Sequence, residues 1–366
     1  MSKYDYVVVG SGLFGSVFAN LATAAGKSCI ILDRRNHIAG NCYTETKNDI
    51  NIHTYGAHIF HTSNKEVWNY VNKYATFNHY KHSLKVVNKD KLYSFPINLL
   101  TLYQLWGCKT PSEAQAKLNS VKIAIESPAN LEEWILSQVG EELYHTFIYG
   151  YTKKQWGTDP KNLPSEIIKR LPIRLDFNDN YFFDTYQGVP IGGYTKMFEN
   201  MTSGIPIELG VDFLKDREYW QKLGKQVVYT GALDELFNNC LGKLGYRSLR
   251  FEHEHLSIPD YQGTSVVNYT DENVPYTRII EHKHFESRNT NSTIITKEYP
   301  LTPNQAGDEK YYPINDVVNT ELYHKYKQLC DVEYPSMILG GRLASYRYYD
   351  MHQVVAQAMH TFTHHA

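Results

Sequence analysis

A valine-rich run followed by closely spaced glycines, VVVGSGLFG at residues 7–15, constrains the fold of this chain more than any other stretch. The residues YDYVVV (4–9) predict a buried strand, and apolar residues at helical spacing then predict a helix that ends near Gly26. SCIILD (28–33) predicts a second strand that ends in the acidic residue Asp33. A β-α-β unit with G-x-G-x-x-G at its first turn is typical of a Rossmann-like dinucleotide-binding domain.

Each glycine of this motif has a predicted role in binding a cofactor. Gly10 permits the tight turn, Gly12 lets the backbone approach a pyrophosphate, and Gly15 lets the helix pack closely on the strand. The amino terminus of the helix supplies oriented N–H donors for phosphate, and Asp33 is placed to accept the two ribose hydroxyls. The motif therefore indicates a class of cofactor but leaves the reaction open.

Composition excludes several classes of protein. A chain of 366 residues predicts two or three domains, and a formal net charge of −2 does not indicate a nucleic-acid partner. The five cysteines are scattered without a C-x-x-C pair, which argues against a disulfide framework or a zinc site and fits a reducing compartment. With neither a signal peptide nor an apolar run long enough to span a membrane, the sequence predicts a cytoplasmic protein. The 30 tyrosines are explained either by aromatic cores or by a cleft that binds a hydroxyl-rich ligand.

The middle of the chain changes from a helical to an alternating pattern. From about 97 to 170, apolar residues recur every three or four positions, and Ser112 and Ser165 stand where helix N-caps are expected. From about 173 to 315 the pattern becomes that of sheet strands. Pro172 is expected to end a helix over SEIIKRL.

The last part of the chain is expected to return to the dinucleotide domain. SMILGGRLA predicts a strand that reaches a double glycine, and DMHQVVAQAM predicts a helix that begins at 350–351. Discontinuous domains of this kind are typical of flavoproteins. The predicted fold is α/β (α+β multidomain), with a discontinuous Rossmann-like FAD-binding domain, an inserted helical domain and an antiparallel β-sheet domain. The expected boundaries are 1–80 with about 190–240 and 330–366 for the FAD domain, about 97–172 for the helical domain, and about 81–96, 173–190 and 241–329 for the sheet domain.

A series of motifs along the whole chain resembles one family. The motifs are GSGLFG, DRRNHIAGN, YGAHIFHT, YTKKQWG, PIGGYTK, YTRIIEHKHF, YYPIND and GGRLASYRYYDMHQ. Together and in this order they closely resemble bacterial UDP-galactopyranose mutase. The resemblance implies an FAD-dependent isomerase that interconverts UDP-galactopyranose and UDP-galactofuranose without net oxidation, through a covalent adduct to N5 of the reduced flavin. It also implies a homodimer, transient reduction by NAD(P)H or another reductant, and a supply of galactofuranose for cell-surface polysaccharide.

The same resemblance implies a set of substrate-binding and catalytic residues. Arg170 and Arg278 match the two diphosphate-binding arginines of the family, and guanidinium groups suit this task because they are always charged and can fork across phosphate oxygens. Four residues are expected to be catalytic: Arg170, Arg278, His61 and Tyr348. The implied substrate contacts are Thr152, Trp156, Arg170, Tyr181, Asn268, Arg278, Tyr312, Tyr348 and Asp350. Arg247 matches a further basic residue near the site.

The resemblance also implies a set of residues against FAD. They are Gly10, Gly12, Phe14, Gly15, Asp33, Arg34, Asn41, His58, Ile59, Asp212, Phe213, Arg342, Met351, His352, Gln353 and Val354. No metal site is expected, because the H-x-x-H spacing of His58 and His61 is not that of a helical zinc site. The sequence departs from the family where Ala39 replaces a glycine, at a position where alanine does not readily take a positive φ, and where His82 replaces an asparagine.

Three other functions are compatible with parts of the sequence. One is a mutase that also accepts UDP-N-acetylgalactosamine. Another is a net-redox FAD oxidoreductase of the amine-oxidase type, which would consume reductant or oxygen stoichiometrically. The third is a nucleotide-binding module without activity, which would have no need for arginines and tyrosines around one flavin face.

Overall fold

A computed structural model describes residues 2–169, 171–303 and 309–365. The strands are β1 (Tyr4–Val9), β2 (Cys29–Asp33), β3 (Thr44–Lys47), β4 (Ile50–His53), β5 (Phe60–Thr62), β6 (Leu84–Asn88), β7 (Lys91–Phe95), β8 (Tyr186–Gly188), β9 (Ile207–Leu209), β10 (Gly224–Tyr229), β11 (Tyr246–Leu256), β12 (Val266–Tyr269), β13 (Arg278–Glu281), β14 (Thr293–Leu301), β15 (Tyr312–Pro313) and β16 (Ile338–Leu339).

The helices alternate with these strands only in part. They are α1 (Leu13–Ala24), α2 (Lys65–Val71), α3 (Leu99–Trp106), α4 (Pro111–Val121), α5 (Leu131–Leu143), α6 (Gly150–Trp156), α7 (Gly193–Met201), α8 (Arg217–Leu223), α9 (Leu233–Leu236), α10 (Val317–Glu333), α11 (Gly341–Ala344) and α12 (Met351–His365). A π-helical segment, Tyr144–Tyr149, joins α5 to α6. Among the described residues, no helix combines the length and the apolar character that crossing a membrane requires.

The first compact unit consists of Met1–His79, Asp184–Arg247 and Asp308–Ala366. Its main sheet has the strand order β16-β10-β1-β2-β9, and every pair in it is parallel. The helix α1 lies between this sheet and α12, with the Phe18 ring 5.2 Å from Tyr6 of β1 and 5.6 Å from Phe362 of α12. The predicted β-α-β unit and the return of the chain at β16 and α12 are therefore confirmed.

The second compact unit consists of Tyr80–Phe183 and Ser248–Gly307. Its sheet runs in the order β11-β14-β13-β12-β6-β7, antiparallel throughout except for the β12–β6 pair. The helices α3 to α6 belong to the same unit, so the helical segment and the antiparallel sheet form one compact body. We expected the sheet domain to extend to about residue 329, but β15 and α10 belong to the first unit. The mixed α/β fold class is confirmed.

Two predicted helix starts are wrong. Helix α4 is capped by Thr110, whose hydroxyl accepts from the Glu113 N–H at 3.2 Å, and not by Ser112. Pro111 takes the first helical position because it has no N–H to leave unpaired. The predicted helix at Ser165 is only a 3-10 turn, Ser165–Ile167, preceded by Pro164.

Candidate cofactor and substrate site

A cleft of about 270 Å³ opens in the first unit at the carboxyl ends of its parallel strands. This end of a parallel sheet is where nucleotide ligands bind in open α/β folds. The lining includes most of the residues predicted to bind FAD: Gly10, Gly12, Phe14, Gly15, Asp33, Arg34, Asn41, His58, Asp212, Phe213, Arg342, Met351 and Val354. Ile59, His352 and Gln353 are not among the lining residues, and Gln353 instead accepts the Asp350 N–H at 2.8 Å at the start of α12.

At one position of the glycine turn there is room for a cofactor, and at two others the neighbouring protein atoms leave no room for a side chain. A Cβ on Gly12 would meet no protein atom within 4 Å, so the backbone there faces open space at the start of α1. A Cβ on Gly15 would lie 2.0 Å from the Gly10 carbonyl oxygen, and one on Gly10 (φ +103°) would lie 2.1 Å from Thr230 Oγ1. The cradle therefore fits a dinucleotide pyrophosphate at Gly12 and the helix amino terminus.

Asp33 makes a set of protein contacts that the sequence did not indicate. Its Oδ2 accepts hydrogen bonds from Ser11 N at 2.8 Å and Ser11 Oγ at 2.5 Å, while Oδ1 accepts from Arg35 N at 2.9 Å. The carboxylate thus holds the glycine turn against the end of β2. A contact between Asp33 and the ribose stays a prediction.

The loop after β2 contacts the glycine turn, and its residue Ala39 has a left-handed backbone conformation. Ala39 has φ 73° and ψ 0°, contrary to our expectation that alanine would avoid a positive φ. Its N–H donates to the Ser11 carbonyl at 3.2 Å, and a Cβ on the next residue, Gly40, would lie 3.0 Å from Gly12 Cα. The close approach of two backbones determines this conformation, at a cost of about 1–2 kcal/mol for the alanine.

Two arginines and one glutamate form an ion cluster at the edge of the cleft. Glu309 accepts from Arg35 Nη2 at 2.7 Å and from Arg34 Nη2 at 2.9 Å, and Arg35 also donates to Asn41 Oδ1 at 2.8 Å. Burial on its own would raise the pKa of Glu309, but the hydrogen bond from Arg35 and the two arginine charges lower it overall. Glu309 is therefore ionised at neutral pH.

His58 is a neutral group in the cleft. Burial lowers its pKa to about 4, although the hydrogen bond with the Gly56 carbonyl (Nδ1···O 2.8 Å) acts in the opposite direction. At neutral pH the ring therefore carries no charge, and Nδ1–H donates to this carbonyl. Nε2 is left as the acceptor nitrogen of a residue that lines the cleft.

The first unit also contains three of the residues expected to contact substrate. The rings of Tyr312 and Tyr348 stack at 5.5 Å, with the guanidinium carbon of Arg342 5.7 and 5.0 Å from their respective centroids. Asp350 lies near His61 and His352, with ligand atoms of the three residues within 4.8 Å of one another. In the first unit, Arg342 therefore supplies positive charge, and Tyr312 and Tyr348 beside it supply hydroxyl donors.

The His61 group is one of two clusters of metal-ligand type found among the described residues. The other, in the second unit, joins Asp260, Glu281 and His284. Glu281 there accepts from Thr293 Oγ1 at 2.7 Å and from the Gln262 N–H at 2.8 Å, which are contacts of a structural carboxylate. The sequence predicted no metal site; His61 is the second histidine of the H-x-x-H pattern, but that pattern gave no sign of its neighbours Asp350 and His352.

In the second unit, four of the predicted substrate residues lie on two neighbouring strands and one helix. Asn268 of β12 is directly opposite Arg278 of β13 in the sheet register, while Thr152 and Trp156 belong to α6. Arg278 Nη2 donates to Tyr151 Oη at 2.5 Å, and Arg278 Nε lies 3.2 Å from Glu298 Oε1.

Tyr181 and His82 contact each other within the same unit. The Tyr181 N–H donates to the His82 carbonyl at 2.7 Å, and their rings are 5.6 Å apart. Arg247, which is 4% exposed, belongs to the first unit. Arg170, the other predicted diphosphate-binding arginine, lies outside the described residues.

Lys154 is a functional candidate that the sequence analysis missed. Its ammonium nitrogen lies within hydrogen-bond distance of four backbone carbonyl oxygens, those of Tyr269 (2.8 Å), Asp271 (2.8 Å), Val274 (3.0 Å) and Tyr276 (3.0 Å), which share its three N–H donors. These contacts fasten α6 to the segment that connects Asn268 to Arg278. Its position between Thr152 and Trp156 in YTKKQWG was the only available signal.

Comparison with known proteins identifies relatives along the whole chain. The family model described as UDP-galactopyranose mutase matches residues 146–348, and that of an NAD(P)-binding Rossmann-like domain matches residues 8–74. A dTDP-fucopyranose mutase of Escherichia coli is 40% identical over 363 residues, covering 96% of each chain. A probable UDP-galactopyranose mutase of Klebsiella pneumoniae is 40% identical over 370 residues, covering 99% of this chain and 94% of the relative. A crystal structure of reduced UDP-galactopyranose mutase shares the fold, with a TM-score of 0.78 at 13% identity over 99% of this chain and 95% of the other.

Proposed function

Because this chain belongs to the UDP-galactopyranose mutase family, we propose that it catalyses the reversible interconversion of UDP-galactopyranose and UDP-galactofuranose. The observation that carries the proposal is the 40% identity to the Klebsiella pneumoniae relative over 99% of this chain. The match therefore includes both the dinucleotide cleft of the first unit and the arginine and tyrosine positions of the second.

The family is FAD-dependent, and the cleft at Gly12 fits such a cofactor. When bound, reduced FAD would supply the nucleophile for displacement of the sugar from its nucleotide. Gly12 and the amino terminus of α1 would hold the FAD pyrophosphate, and Arg34 supplies positive charge at the edge of the same cleft. His58 lines this cleft and is neutral at physiological pH, so it would offer the cofactor a hydrogen-bond acceptor without adding charge.

The leaving diphosphate requires positive charge and hydrogen-bond donors. Arg278 provides a guanidinium held by Glu298 and Tyr151, and Tyr312 and Tyr348 provide hydroxyl donors. Arg170 is proposed as the second arginine on the basis of its sequence match alone. Thr152, Trp156, Tyr181, Asn268 and Asp350 are proposed as further substrate contacts.

A second substrate is favoured by one specific observation. The Escherichia coli relative, which is as similar as the Klebsiella pneumoniae one, is named a dTDP-fucopyranose mutase. Each substrate is a sugar linked to a nucleoside diphosphate, and in each the sugar ring changes size. The same contacts to the cofactor and to the diphosphate would therefore suit both substrates. A net-redox oxidoreductase has no comparable support along the chain.

The experiment is a comparison of the two substrates with enzyme reduced by dithionite under anaerobic conditions. UDP-galactofuranose and dTDP-fucofuranose are incubated separately, and the pyranose products are separated by anion-exchange chromatography. We expect each equivalent of dithionite to support the conversion of many equivalents of UDP-galactofuranose, and we expect little conversion by the oxidised enzyme. Preferential conversion of dTDP-fucofuranose would replace the substrate in the proposal, and an oxidised sugar or no isomer of either would refute it.

The proposal extends to partners and location. We infer a homodimer and transient reduction by NAD(P)H, both from the family resemblance, and test them by sedimentation velocity and by anaerobic titration of the flavin. A cytoplasmic location fits the described cysteines, none of which forms a disulfide.

A further inference from the structure

A short hydrogen bond links a histidine and an aspartate that are distant in the sequence. His61 Nδ1 lies 2.6 Å from Asp184 Oδ2, and Asp184 Oδ1 accepts from Ser63 Oγ at 2.8 Å. His61 is in β5, and Asp184 comes two residues before β8, which pairs antiparallel with β5. Both carboxylate oxygens of Asp184 are therefore hydrogen-bonded, one to His61 of β5 and the other to Ser63, which follows β5.

The direction of this hydrogen bond follows from the charge of Asp184. Burial alone would raise the pKa of Asp184, but the hydrogen bonds from His61 and Ser63 lower it overall. An ionised carboxylate can only accept, so the proton of the bond is on His61 Nδ1. In the neutral ring, Nε2 is then the nitrogen with the lone pair.

A second histidine lies against His61. The two rings, of His61 and His352, are 5.0 Å apart at an angle of 67°, and a carboxylate oxygen of Asp350 lies within 4.8 Å of both. Burial lowers the pKa of His352, and the neighbouring His61 lowers it further. His352 also lies in the first turn of α12, where the helix dipole disfavours a cation. His61 differs from His352 in having an anionic partner on Nδ1.

The cluster is close to the cofactor cleft in the fold. Met351 and Val354, on either side of His352 in α12, line the cleft, and so does His58 in the loop that leads to β5. The titratable groups around His61 in this cluster are thus Asp184, Asp350 and His352.

We propose that Asp184 is a positioning residue that fixes His61 as the Nδ1–H tautomer, so that Nε2 exchanges the proton that the isomerisation must move. This rests on the proposed function. When a pyranose becomes a furanose, the C1–O5 bond breaks and a C1–O4 bond forms, so O4 loses a proton and O5 gains one. A single ring nitrogen that gives a proton to O5 as the C1–O5 bond breaks, and takes one from O4 as the C1–O4 bond forms, balances the reaction, and the reverse direction uses the same nitrogen.

The test combines a spectroscopic readout with steady-state kinetics on the holoenzyme. Protein labelled with ¹⁵N-histidine, in wild-type, Asp184→Asn, Asp184→Glu and His61→Gln forms, reports the tautomer of each ring by long-range ¹H–¹⁵N correlation, with His61→Gln assigning the signal. Asp5→Asn is the matched control, because Asp5 is a carboxylate of the same unit that pairs with Ser28 and Lys225 and with no histidine. FAD absorbance and the melting temperature are recorded for every variant.

In the wild type and in Asp5→Asn we expect the Nδ1–H tautomer at His61. In Asp184→Asn we expect a shift toward Nε2–H and a fall in kcat of roughly 10²–10⁴-fold with KM within a factor of three, at unchanged FAD content. Asp184→Glu should recover a measurable part of kcat. An unchanged tautomer in Asp184→Asn, an unchanged kcat, or a fall in kcat matched by loss of FAD or of thermal stability would each overturn the proposal. If the wild type isomerises neither substrate, the proposed function fails, whereas the tautomer measurement still decides the role of Asp184.

Discussion

Arg278 Nε lies 3.2 Å from Oε1 of Glu298, whose side chain is only 3% exposed, while the Arg278 side chain is 24% exposed. The two residues are directly opposite each other on β13 and β14. A buried carboxylate and the Tyr151 hydroxyl thus hold the arginine, and these contacts fix its orientation before any ligand binds.

Replacing Arg278 should impair turnover but not cofactor binding. In Arg278→Ala we expect kcat/KM to fall by at least about 10²-fold, because a positive charge aimed at the leaving diphosphate is lost. FAD content should stay at the wild-type level, because the cofactor cleft is lined by residues of the first unit alone. The control is Arg288→Ala, an arginine of the same unit that is 41% exposed and pairs with Glu286. Loss of FAD in Arg278→Ala, or wild-type kcat/KM, would contradict the assigned role.

Glu298 should give the stability of the second unit a dependence on pH. Burial raises the pKa of Glu298 above 4.5, and Arg278 offsets only part of this rise. The native state then binds more protons than the unfolded state between 4.5 and the raised pKa, so the free energy of unfolding falls as the pH rises through that window. Glu298→Gln should remove this slope. The measurement is the urea midpoint between pH 4.5 and 8 for both proteins, and equal slopes would show that Glu298 titrates normally.

Lys154 should contribute far more to stability than its neighbour Lys153. Lys154→Met removes the ammonium shared by four carbonyls, and we expect a loss of about 2–4 kcal/mol with faster amide exchange over 269–276. Lys153→Met removes a pair with Glu272 in which both side chains are more than 40% exposed and a hydrogen bond to the Tyr149 hydroxyl, so the loss there should be much smaller than for Lys154→Met. Similar losses for the two variants would mean that the carbonyl contacts are not important for the segment.

Two alanine substitutions in the glycine turn should have different effects, one on FAD affinity and the other on the stability of the apoprotein. Gly12→Ala meets no protein atom, so the apoprotein should melt at the wild-type temperature while FAD affinity drops by roughly tenfold or more, because the methyl group enters the cleft. Gly15→Ala meets the Gly10 carbonyl at 2.0 Å and should destabilise the apoprotein by about 1–3 kcal/mol or more. Melting of the apoproteins and FAD titration by flavin fluorescence separate the two effects. Equal FAD affinity of Gly12→Ala and the wild type would place the pyrophosphate elsewhere.

The local elements of the fold were predictable because their signals lie within a few residues. The strand at 4–9 agrees with the structure residue for residue, and α1 ends at Ala24, just before Gly26. The cap of α4 was missed because Pro111 makes Thr110, and not the more familiar serine, the residue before the first turn. The 3-10 turn at Ser165–Ile167 was missed because periodicity alone does not show how two flanking prolines limit a helix.

The supporting carboxylates of the site were not predictable from the sequence. Asp184 is 123 residues from His61, and Glu309 is 274 residues from Arg35. No pattern of spacing connects such partners, because the segments that carry them are brought together only by the tertiary fold. Glu298 is closer to Arg278 along the chain, but it lies inside an alternating strand sequence that looks like that of any other strand.

The cofactor cleft also has a consequence for the order of synthesis. Its lining extends from Val9 to Val354, and the central strand β1 pairs with β10, more than 200 residues later in the chain. Residues 80–183 leave the ribosome while β1 still lacks this neighbour, and the second unit has both of its segments only when residue 307 has been made. All of the lining residues are in place only after Val354 has been synthesised and α12 has packed on α1, so the cofactor site depends on contacts between distant parts of the chain.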